Sequence, residues 1–365
     1  MKKLVIEKEK LIENIEKLQD FAKDTRIIAV LKGNGYGISL LPFAEILYEK
    51  EIRFFAVTSC EDAAALRERF DDADILLLSE VLNLAETERM IESGIILTCG
   101  SFLSLIQCNE LAQKGNVQAR VHLKLDTGFG RFGFLPGQEE EIVNCIKPLS
   151  NLSVEGIYSH FSFSFASTDK FVKEQYDLFC QMTETLKELG LSVPMRHIAN
   201  SHAFLNYPFT HLDAVRIGSA LLGRLSAGVP VELNRIGYLQ SEVSGVKMLP
   251  KGHNIGYANT CKVKRETKIA IVNVGYQDGF MTEVKRDTFR FSDILRYLFH
   301  DAKLLLKHPA CSVRINGKTA PVLGRIGMYN IICDVTDIGT VKAGDTVLLD
   351  VNTLLLDSGI EREYR

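Results

Sequence analysis

The sequence has no pair of cysteines at a metal-binding spacing, no long apolar run and no excess of charge of one sign. Its eight cysteines are scattered without a C-x-x-C pair, which argues against a zinc site or a disulfide framework and predicts free thiols in a reducing compartment. No segment approaches the ~18 uncharged apolar residues of a membrane helix. The opening MKKLVIEKEK lacks the apolar core of a secretion signal. We therefore expect a cytoplasmic protein with no membrane partner.

The charge balance also limits the class of partner. The chain carries 43 basic and 46 acidic residues, a net charge of −3, which argues against a general nucleic-acid binder. Hydrophobic residues make up 46% of its 365 residues, enough for a sizeable core and against disorder. At roughly 150 residues per domain, this length predicts about two domains.

Short β-rich runs alternate with helical patterns over the first 225 residues. The candidate strands are Ile27–Leu31, Phe54–Val57, Asp74–Ser79, Ile95–Cys99, Val117–Leu125, Val154–His160, Met195–Asn200 and Ala214–Gly218. Eight strands separated by helices is the number that closes a (β/α)8 barrel. A doubly wound open sheet stays possible at this point, because strand order cannot be read from one sequence.

The pattern changes after about residue 225, where short strand candidates are separated by Gly, Asn and Pro turns. We therefore predict an α/β protein with a TIM barrel over residues 1–225 and a mainly-β domain over residues 226–365. One segment, Phe291–His308, has helical apolar spacing instead. We expect this helix to pack on the β domain, and a contact with a partner or a membrane is the alternative.

Reactive side chains follow the predicted strands, at the end where barrel enzymes place their chemistry. Lys32 comes directly after the first strand, where burial would lower the pKa of its amine. The fifth strand carries Arg120, His122 and Lys124 on one face, which indicates a polar pocket rather than a packed interior. The later strands and the turn after the fifth add Arg131, His160, His197, Asn200, Ser201, Arg216, Gly218 and Ser219.

These segments resemble those of the alanine racemase family. The motifs AVLKGNGYG, HLKLDTGFGRFGF, IYSHF, HIANS, VRIGSALLG, IGYANT, VGYQDG and APVLGRIGMYN stand in the family's order and spacing over nearly the whole chain. The resemblance implies a pyridoxal 5'-phosphate enzyme of fold type III, with a barrel and a C-terminal β domain. It also implies a homodimer with shared active sites that interconverts the enantiomers of a small amino acid and supplies D-amino acids for peptidoglycan.

The resemblance also implies a role for individual residues. Lys32 would link the cofactor and act as one base, and Tyr257 of the other subunit would act as the second base. The implied cofactor contacts are Tyr36, His160, Asn200, Ser201, Arg216, Gly218, Ser219 and Tyr364. The implied substrate contacts are Arg131, Met328 and Tyr276, and Lys124 matches a lysine that is often carbamylated. Because a guanidinium keeps its protons, an arginine at the pyridine nitrogen leaves the cofactor a weaker electron sink.

The sequence departs from the family pattern in two places. Where the family commonly has Cys-Met-Asp, this chain has Gly327-Met328-Tyr329, and a stretch of roughly Thr282–Pro309 is added after VGYQDG. Both features resemble the catalytic domain of vancomycin-resistance serine racemases, so alanine, serine or both are expected substrates. A barrel decarboxylase of basic amino acids and a non-catalytic pyridoxal-phosphate protein are the alternatives. Arg216 argues against the first, and the second domain with Tyr257 argues against the second.

Overall fold

In the computed structural model, residues 2–165, 168–225, 228–306 and 311–365 are described. The chain divides into two compact units, Lys8–Ile236 and a second unit that combines the first seven residues with Gly237–Arg365. The change of pattern in the sequence predicts a division after residue 225, with the N-terminus in the barrel. In the structure, a short N-terminal strand instead joins the C-terminal unit.

Eight parallel strands close into a barrel in the first unit, which confirms the predicted fold. In chain order they are Arg26–Val30, Phe54–Val57, Asp74–Leu77, Ile96–Cys99, Ala119–Lys124, Leu152–Tyr158, Arg196–His197 and Ala214–Ile217. Each matches a predicted strand, and the closure replaces the open-sheet alternative. Apolar side chains from these strands pack as one buried cluster of Ile28, Val30, Phe54, Ala56, Leu76, Ile96 and Ala214.

One helix precedes the first barrel strand, and further helices connect the strands. They are Lys8–Ala22, Leu40–Glu49, Cys60–Arg69, Leu84–Glu92, Phe102–Lys114, Glu139–Ile146, Lys170–Glu188 and Ser201–Asn206. Local chemistry sets their ends: the Ser59 side chain accepts a hydrogen bond from the Asp62 amide and begins one helix, whose last turn carries Arg67 and Arg69. Such capping and placement of charge complement the helix dipole. No helix within the described ranges is long and apolar enough to cross a membrane.

The second unit is built on an eight-stranded sheet. Its strands are Lys3–Ile6, Tyr238–Leu249, Thr267–Val272, Ser312–Ile315, Lys318–Leu323, Ile331–Asp334, Thr346–Leu349 and Glu361–Tyr364, and a two-stranded ribbon joins Asn254–Ile255 to Cys261–Lys262. The N-terminal strand lies between two others, antiparallel to Tyr238–Leu249 and parallel to Glu361–Tyr364. This sheet confirms the predicted β domain.

The predicted helix in the added segment is present at Phe291–Leu306. Residues 307–310, which include the predicted helix end at His308 and the end of the added segment at Pro309, lie outside the described residues. The side chains of Phe291, Leu298 and Phe299 are 78%, 61% and 66% exposed. The expectation that this helix packs by its apolar face on the β domain is therefore wrong for these three side chains.

Candidate active site

A cavity of about 500 Å³ lies at the carboxyl ends of the barrel strands. Its lining includes ten residues singled out in the sequence: Lys32, Tyr36, Lys124, Arg131, His160, Asn200, Ser201, Arg216, Gly218 and Ser219. Arg224 adds a fifth basic side chain, and no carboxylate is present among the described lining residues. The size suits a small cofactor with its substrate, and the charge suits anionic groups.

A left-handed turn carries Lys32 and Tyr36 into this cavity. The φ angles of Gly33, Asn34, Gly35 and Tyr36 are 64°, 53°, 63° and 55°, a conformation that glycine adopts readily and other residues seldom do. The Asn34 side chain accepts a hydrogen bond of 2.9 Å from the amide that begins the next helix. Burial, and then the charge of Arg131, lower the pKa of Lys32.

Three residues form a cradle at one side of the cavity. The Ser201 hydroxyl accepts hydrogen bonds from the amides of Gly218, at 3.0 Å, and Ala220, at 3.4 Å. A Cβ on Gly218 would lie 2.3 Å from the hydroxyl oxygen of Tyr36, so only glycine leaves room for that phenol. Burial raises the pKa of Tyr36 to about 12, which keeps its hydroxyl protonated and able to donate. The cradle therefore offers hydrogen-bond donors to an anion.

Arg216 is a buried cation on the last barrel strand. Its Nη1 donates to His197 Nδ1 at 2.5 Å and to the His197 carbonyl at 3.1 Å, and its Nη2 donates to the Ser159 carbonyl at 2.6 Å and the Ile198 carbonyl at 3.2 Å. Nη2 also lies 3.3 Å from His160 Nδ1. Burial lowers the pKa of Arg216 to about 10, so the guanidinium stays charged at neutral pH and its orientation is fixed.

Lys124 has a buried amine with no hydrogen-bond partner among the described residues. Its Nζ lies 4.6 Å from the ring centre of Tyr158, and the Arg216 guanidinium lies 5.0 Å from the same centre. Burial, followed by the charges of Arg216 and Arg131, holds the pKa of Lys124 well below its usual range. The lowered pKa increases the fraction of neutral Lys124 amine, which is the form that can react.

The turn after the fifth strand positions Arg131 through a carboxylate. Asp126 accepts hydrogen bonds from the backbone amides of Gly128, Phe129, Gly130 and Arg131. Burial alone would raise the pKa of Asp126, but these donors outweigh it and lower the pKa. The Arg131 guanidinium then lies over the Phe129 ring, 4.6 Å from its centre, at the edge of the cavity.

The remaining predicted site residues, Tyr257, Tyr276, Met328 and Tyr364, belong to the second unit. Tyr257 is 73% exposed in a short 3-10 turn, and Tyr364 ends a strand paired to the N-terminal one. Tyr276 and Met328 lie on adjacent segments, because the amide of Tyr276 donates to the Gly327 carbonyl at 3.1 Å. Tyr276 and Met328 are each 47% exposed, so they present side chains rather than fill a core.

Comparison with known proteins identifies the family. A model of the alanine racemase N-terminal domain matches residues 6–226, and a model of the C-terminal domain matches residues 236–353. An alanine racemase of Clostridium tetani is 32% identical over 94% of this chain and 84% of the relative. This chain belongs to the alanine racemase family. An alanine racemase of Halothermothrix orenii is 31% identical over 89% of this chain and 80% of its own length.

Solved structures of alanine racemases share the fold. The structure of the alanine racemase from E. faecalis is 26% identical, with a TM-score of 0.83 over 100% of this chain and 98% of that chain. One from Clostridium difficile 630 has a TM-score of 0.86 at 24% identity, over 100% of this chain and 95% of that chain. The match over both units agrees with the resemblance drawn from the motifs.

Sequence reasoning missed several features of this racemase-family site. Asp126 was seen only as part of a glycine-rich turn, although an aspartate before glycines is the signal for a side chain that accepts backbone amides. The ring of Tyr158 lies near both Lys124 and Arg216. Its role could not be predicted from the sequence, because an aromatic residue in a buried strand is typical of a hydrophobic core. The pairing of His122 with His197 joins residues far apart in sequence and could not be read from spacing.

Proposed function

We propose that this protein is a pyridoxal-phosphate-dependent amino-acid racemase that interconverts L- and D-alanine. The observation that carries this proposal is the convergence of ten motif residues on one cationic cavity. Alanine racemase relatives that match most of the chain support the choice of reaction. We further propose that the protein acts in the cytoplasm and supplies D-alanine for peptidoglycan.

The residues of the cavity fit the cofactor. Tyr36, Ser201 and the Ser219 amide would hold its phosphate, where the space is kept open by Gly218. Arg216 would face the ring nitrogen, Lys32 would bind the aldehyde carbon, and Asn200 fixes the loop by capping the helix that Ser201 begins. When bound, pyridoxal phosphate delocalises the electron pair that remains after a Cα–H bond breaks.

Racemisation needs one base on each face of a planar carbon. The lowered pKa of Lys32 increases the fraction of neutral amine that can accept the Cα proton on one face. We assign the opposite face to Tyr257 from the second subunit of a homodimer, because its exposed phenol is available to a partner. Burial and the charge of Arg216 hold the pKa of His160 well below its usual range, so this ring is neutral and can accept a hydrogen bond.

The substrate carboxylate would be held by Arg131 and the Met328 backbone, with Tyr276 at the entrance and Tyr364 near the phosphate. The unpartnered amine of Lys124 supports carbamylation, because a neutral amine adds carbon dioxide and releases a proton. The resulting anion would offset the charge of Arg131. Gly327-Met328-Tyr329 in place of the common family triplet leaves serine as a second substrate to test.

A decarboxylase of basic amino acids is the alternative reaction. Its cationic substrate side chain would enter a cavity lined by five basic side chains, three of them arginines, and, within the described lining, by no carboxylate, which is unfavourable electrostatically. A non-catalytic pyridoxal-phosphate protein would not require the exposed tyrosines of the second unit, because it breaks no Cα–H bond. The geometry therefore favours the racemase.

The test is a substrate panel with purified protein loaded with pyridoxal phosphate. L-alanine, L-serine and L-lysine are incubated separately, and products are separated by chiral chromatography. We expect D-alanine from L-alanine, no amine product from lysine, and loss of all turnover in Lys32→Ala. Release of carbon dioxide from lysine would establish the decarboxylase instead, and cofactor binding without any turnover would establish a binding protein.

A further inference from the structure

Two buried imidazoles extend from Arg216 into the barrel interior. His197 Nδ1 lies 2.5 Å from Arg216 Nη1, and His197 Nε2 lies 3.0 Å from His122 Nδ1. The exposed fractions of His197 and His122 are 0% and 1%, so neither ring can touch a substrate. The proposed chemistry assigns no role to His122.

The hydrogen-bond donors fix the proton positions along this chain of groups. A guanidinium has donors and no acceptor, so the His197 Nδ1 that faces Arg216 must be the acceptor and carries no proton. A neutral imidazole has one N–H, so the proton of His197 is on Nε2 and is donated to His122 Nδ1. His122 Nδ1 is therefore an acceptor too, and the proton of His122 is on Nε2.

The surroundings keep both rings neutral. Burial, and then the charge of Arg120, lower the pKa of His122 to about 3, against the opposing effect of Asp74 and together with smaller effects of Arg216 and Arg26. Burial, and then the charge of Arg216, lower the pKa of His197 as well. A proton added to His197 would place N–H against N–H at the Arg216 contact.

The backbone makes room for this arrangement. The pairing of the fifth and sixth strands shifts register between Val121 and His122, so that His122 lies opposite Gly156. A Cβ on Gly156 would lie 2.5 Å from atoms of the His122 ring. The neighbouring Tyr158 ring stacks on His197 with centres 4.9 Å apart and planes 5° apart. A bulge, a glycine and a stacked ring thus fix two imidazoles that have no contact with substrate.

We propose that His122 is a positioning residue, whose Nδ1 acceptor holds His197 in the Nε2–H form and thereby holds the Arg216 guanidinium at the cofactor's ring nitrogen. This proposal rests on the proposed function for its effect on turnover, but the proton positions do not depend on it. Without an acceptor at His122, the buried Nε2–H of His197 loses its partner. The alternative Nδ1–H form removes the unpaired Nε2–H, but it places a second donor against the Arg216 donor, which displaces the guanidinium.

Two substitutions at the same position separate this role from packing. His122→Asn keeps an acceptor oxygen near the Nδ1 position, whereas His122→Leu removes it. The matched control is Phe54→Leu, because Phe54 is buried and packs edge-on against the His122 ring, 6.1 Å between centres, without a hydrogen bond. Gly156→Ala is a second way to disturb the hydrogen bond between the two rings, because the added Cβ displaces the His122 ring and leaves its chemical groups unchanged.

We expect His122→Leu to lower kcat about tenfold, in line with the loss of one buried hydrogen bond, with KM changed less than twofold. The absorption spectrum of the bound cofactor should shift, because a charge near its ring nitrogen has moved. His122→Asn and Phe54→Leu should keep the wild-type spectrum and most of the kcat. Equal losses in His122→Leu and Phe54→Leu, or a loss in His122→Asn equal to that in His122→Leu, would overturn the proposal.

The proton positions can be measured without turnover. Nitrogen-15 spectra of histidine-labelled, cofactor-free wild-type protein, assigned with the His122→Asn variant, should show His122 and His197 as neutral Nε2–H rings between pH 6 and pH 8. A protonated ring or an Nδ1–H form at either residue would overturn the proposed proton positions even if racemase activity is present. The expected forms in a protein with no racemase activity would refute the proposed function and leave the proton positions standing.

Discussion

The cradle formed by Gly218, Ser201 and Tyr36 allows a sharp test of where the cofactor phosphate binds. In Gly218→Ala, the added Cβ would lie 2.3 Å from the Tyr36 hydroxyl oxygen and 2.6 Å from its Cε2, which is closer than any real contact. The φ angle of Gly218 is not in the left-handed region, so the backbone accepts alanine and only the phenol must move. Overpacking of this kind costs about 1–3 kcal/mol.

If the phenol and the cofactor phosphate share this space, that cost appears in cofactor affinity. At about 1.4 kcal/mol per tenfold, the Kd for pyridoxal phosphate should rise about fivefold to about 150-fold in Gly218→Ala. The assay is a titration of cofactor-free protein followed by visible absorption. Gly228→Ala is the matched control, because a Cβ there meets no atom of the described residues within 4 Å, and its Kd should equal that of the wild type.

A double-mutant cycle makes the reasoning refutable. Tyr36→Ala removes the group with which the new Cβ collides, so Gly218→Ala should cost little further affinity in that background. An equal loss of affinity for Gly218→Ala with and without Tyr36 would show that the collision is not the cause. An unchanged Kd in the single variant Gly218→Ala would show that the cradle does not bind the cofactor phosphate.

Three further predictions concern other groups of the site. Asp126→Asn should raise the KM for alanine about tenfold, since an NH2 donor replaces one of the two oxygens that accept from the backbone of the Arg131 turn. Because the folded pKa of Asp126 is lowered, its stabilisation is present above its ordinary pKa and is lost as the pH falls through the lowered one, so the difference between wild type and Asp126→Asn in urea unfolding should shrink on acidification. Labelled bicarbonate should give a carbamate carbon signal in wild type that is missing from Lys124→Met. Mixing inactive Lys32→Ala and Tyr257→Phe proteins should restore some activity through hybrid dimers, and no recovery despite subunit exchange would contradict a shared site.

Much of the barrel could be predicted because its signals are local. Most barrel strands are short apolar runs bounded by turn residues, and chemistry-bearing residues follow them closely, as Lys32 follows the strand Arg26–Val30 and Leu31. The strand Lys3–Ile6 was missed because four residues before a charged helix carry too little pattern. It becomes a strand by pairing with Tyr238–Leu249 and Glu361–Tyr364, which lie far along the chain.

The interior of the barrel was harder to predict. The sequence placed Arg120, His122 and Lys124 on one face of a strand and indicated a single polar pocket. In the structure, only Lys124 lines the cavity, whereas Arg120 pairs with Asp74 and Glu155, and His122 bonds to another ring. One strand therefore contributes to a salt bridge, to a buried imidazole pair and to the cavity. The partners of its side chains lie on strands that only the closure of the barrel brings together.

The proton transfers themselves give the most direct test of the central claim, that Lys32 and Tyr257 act on opposite faces of one carbon. L-alanine and D-alanine are incubated separately in deuterium oxide with the loaded protein, and loss of the Cα proton is followed together with formation of the other enantiomer. We predict exchange in both directions for wild type, none for Lys32→Ala, and exchange of a single enantiomer without inversion for Tyr257→Phe. Inversion at the wild-type rate in Tyr257→Phe, or exchange that survives Lys32→Ala, would contradict the account.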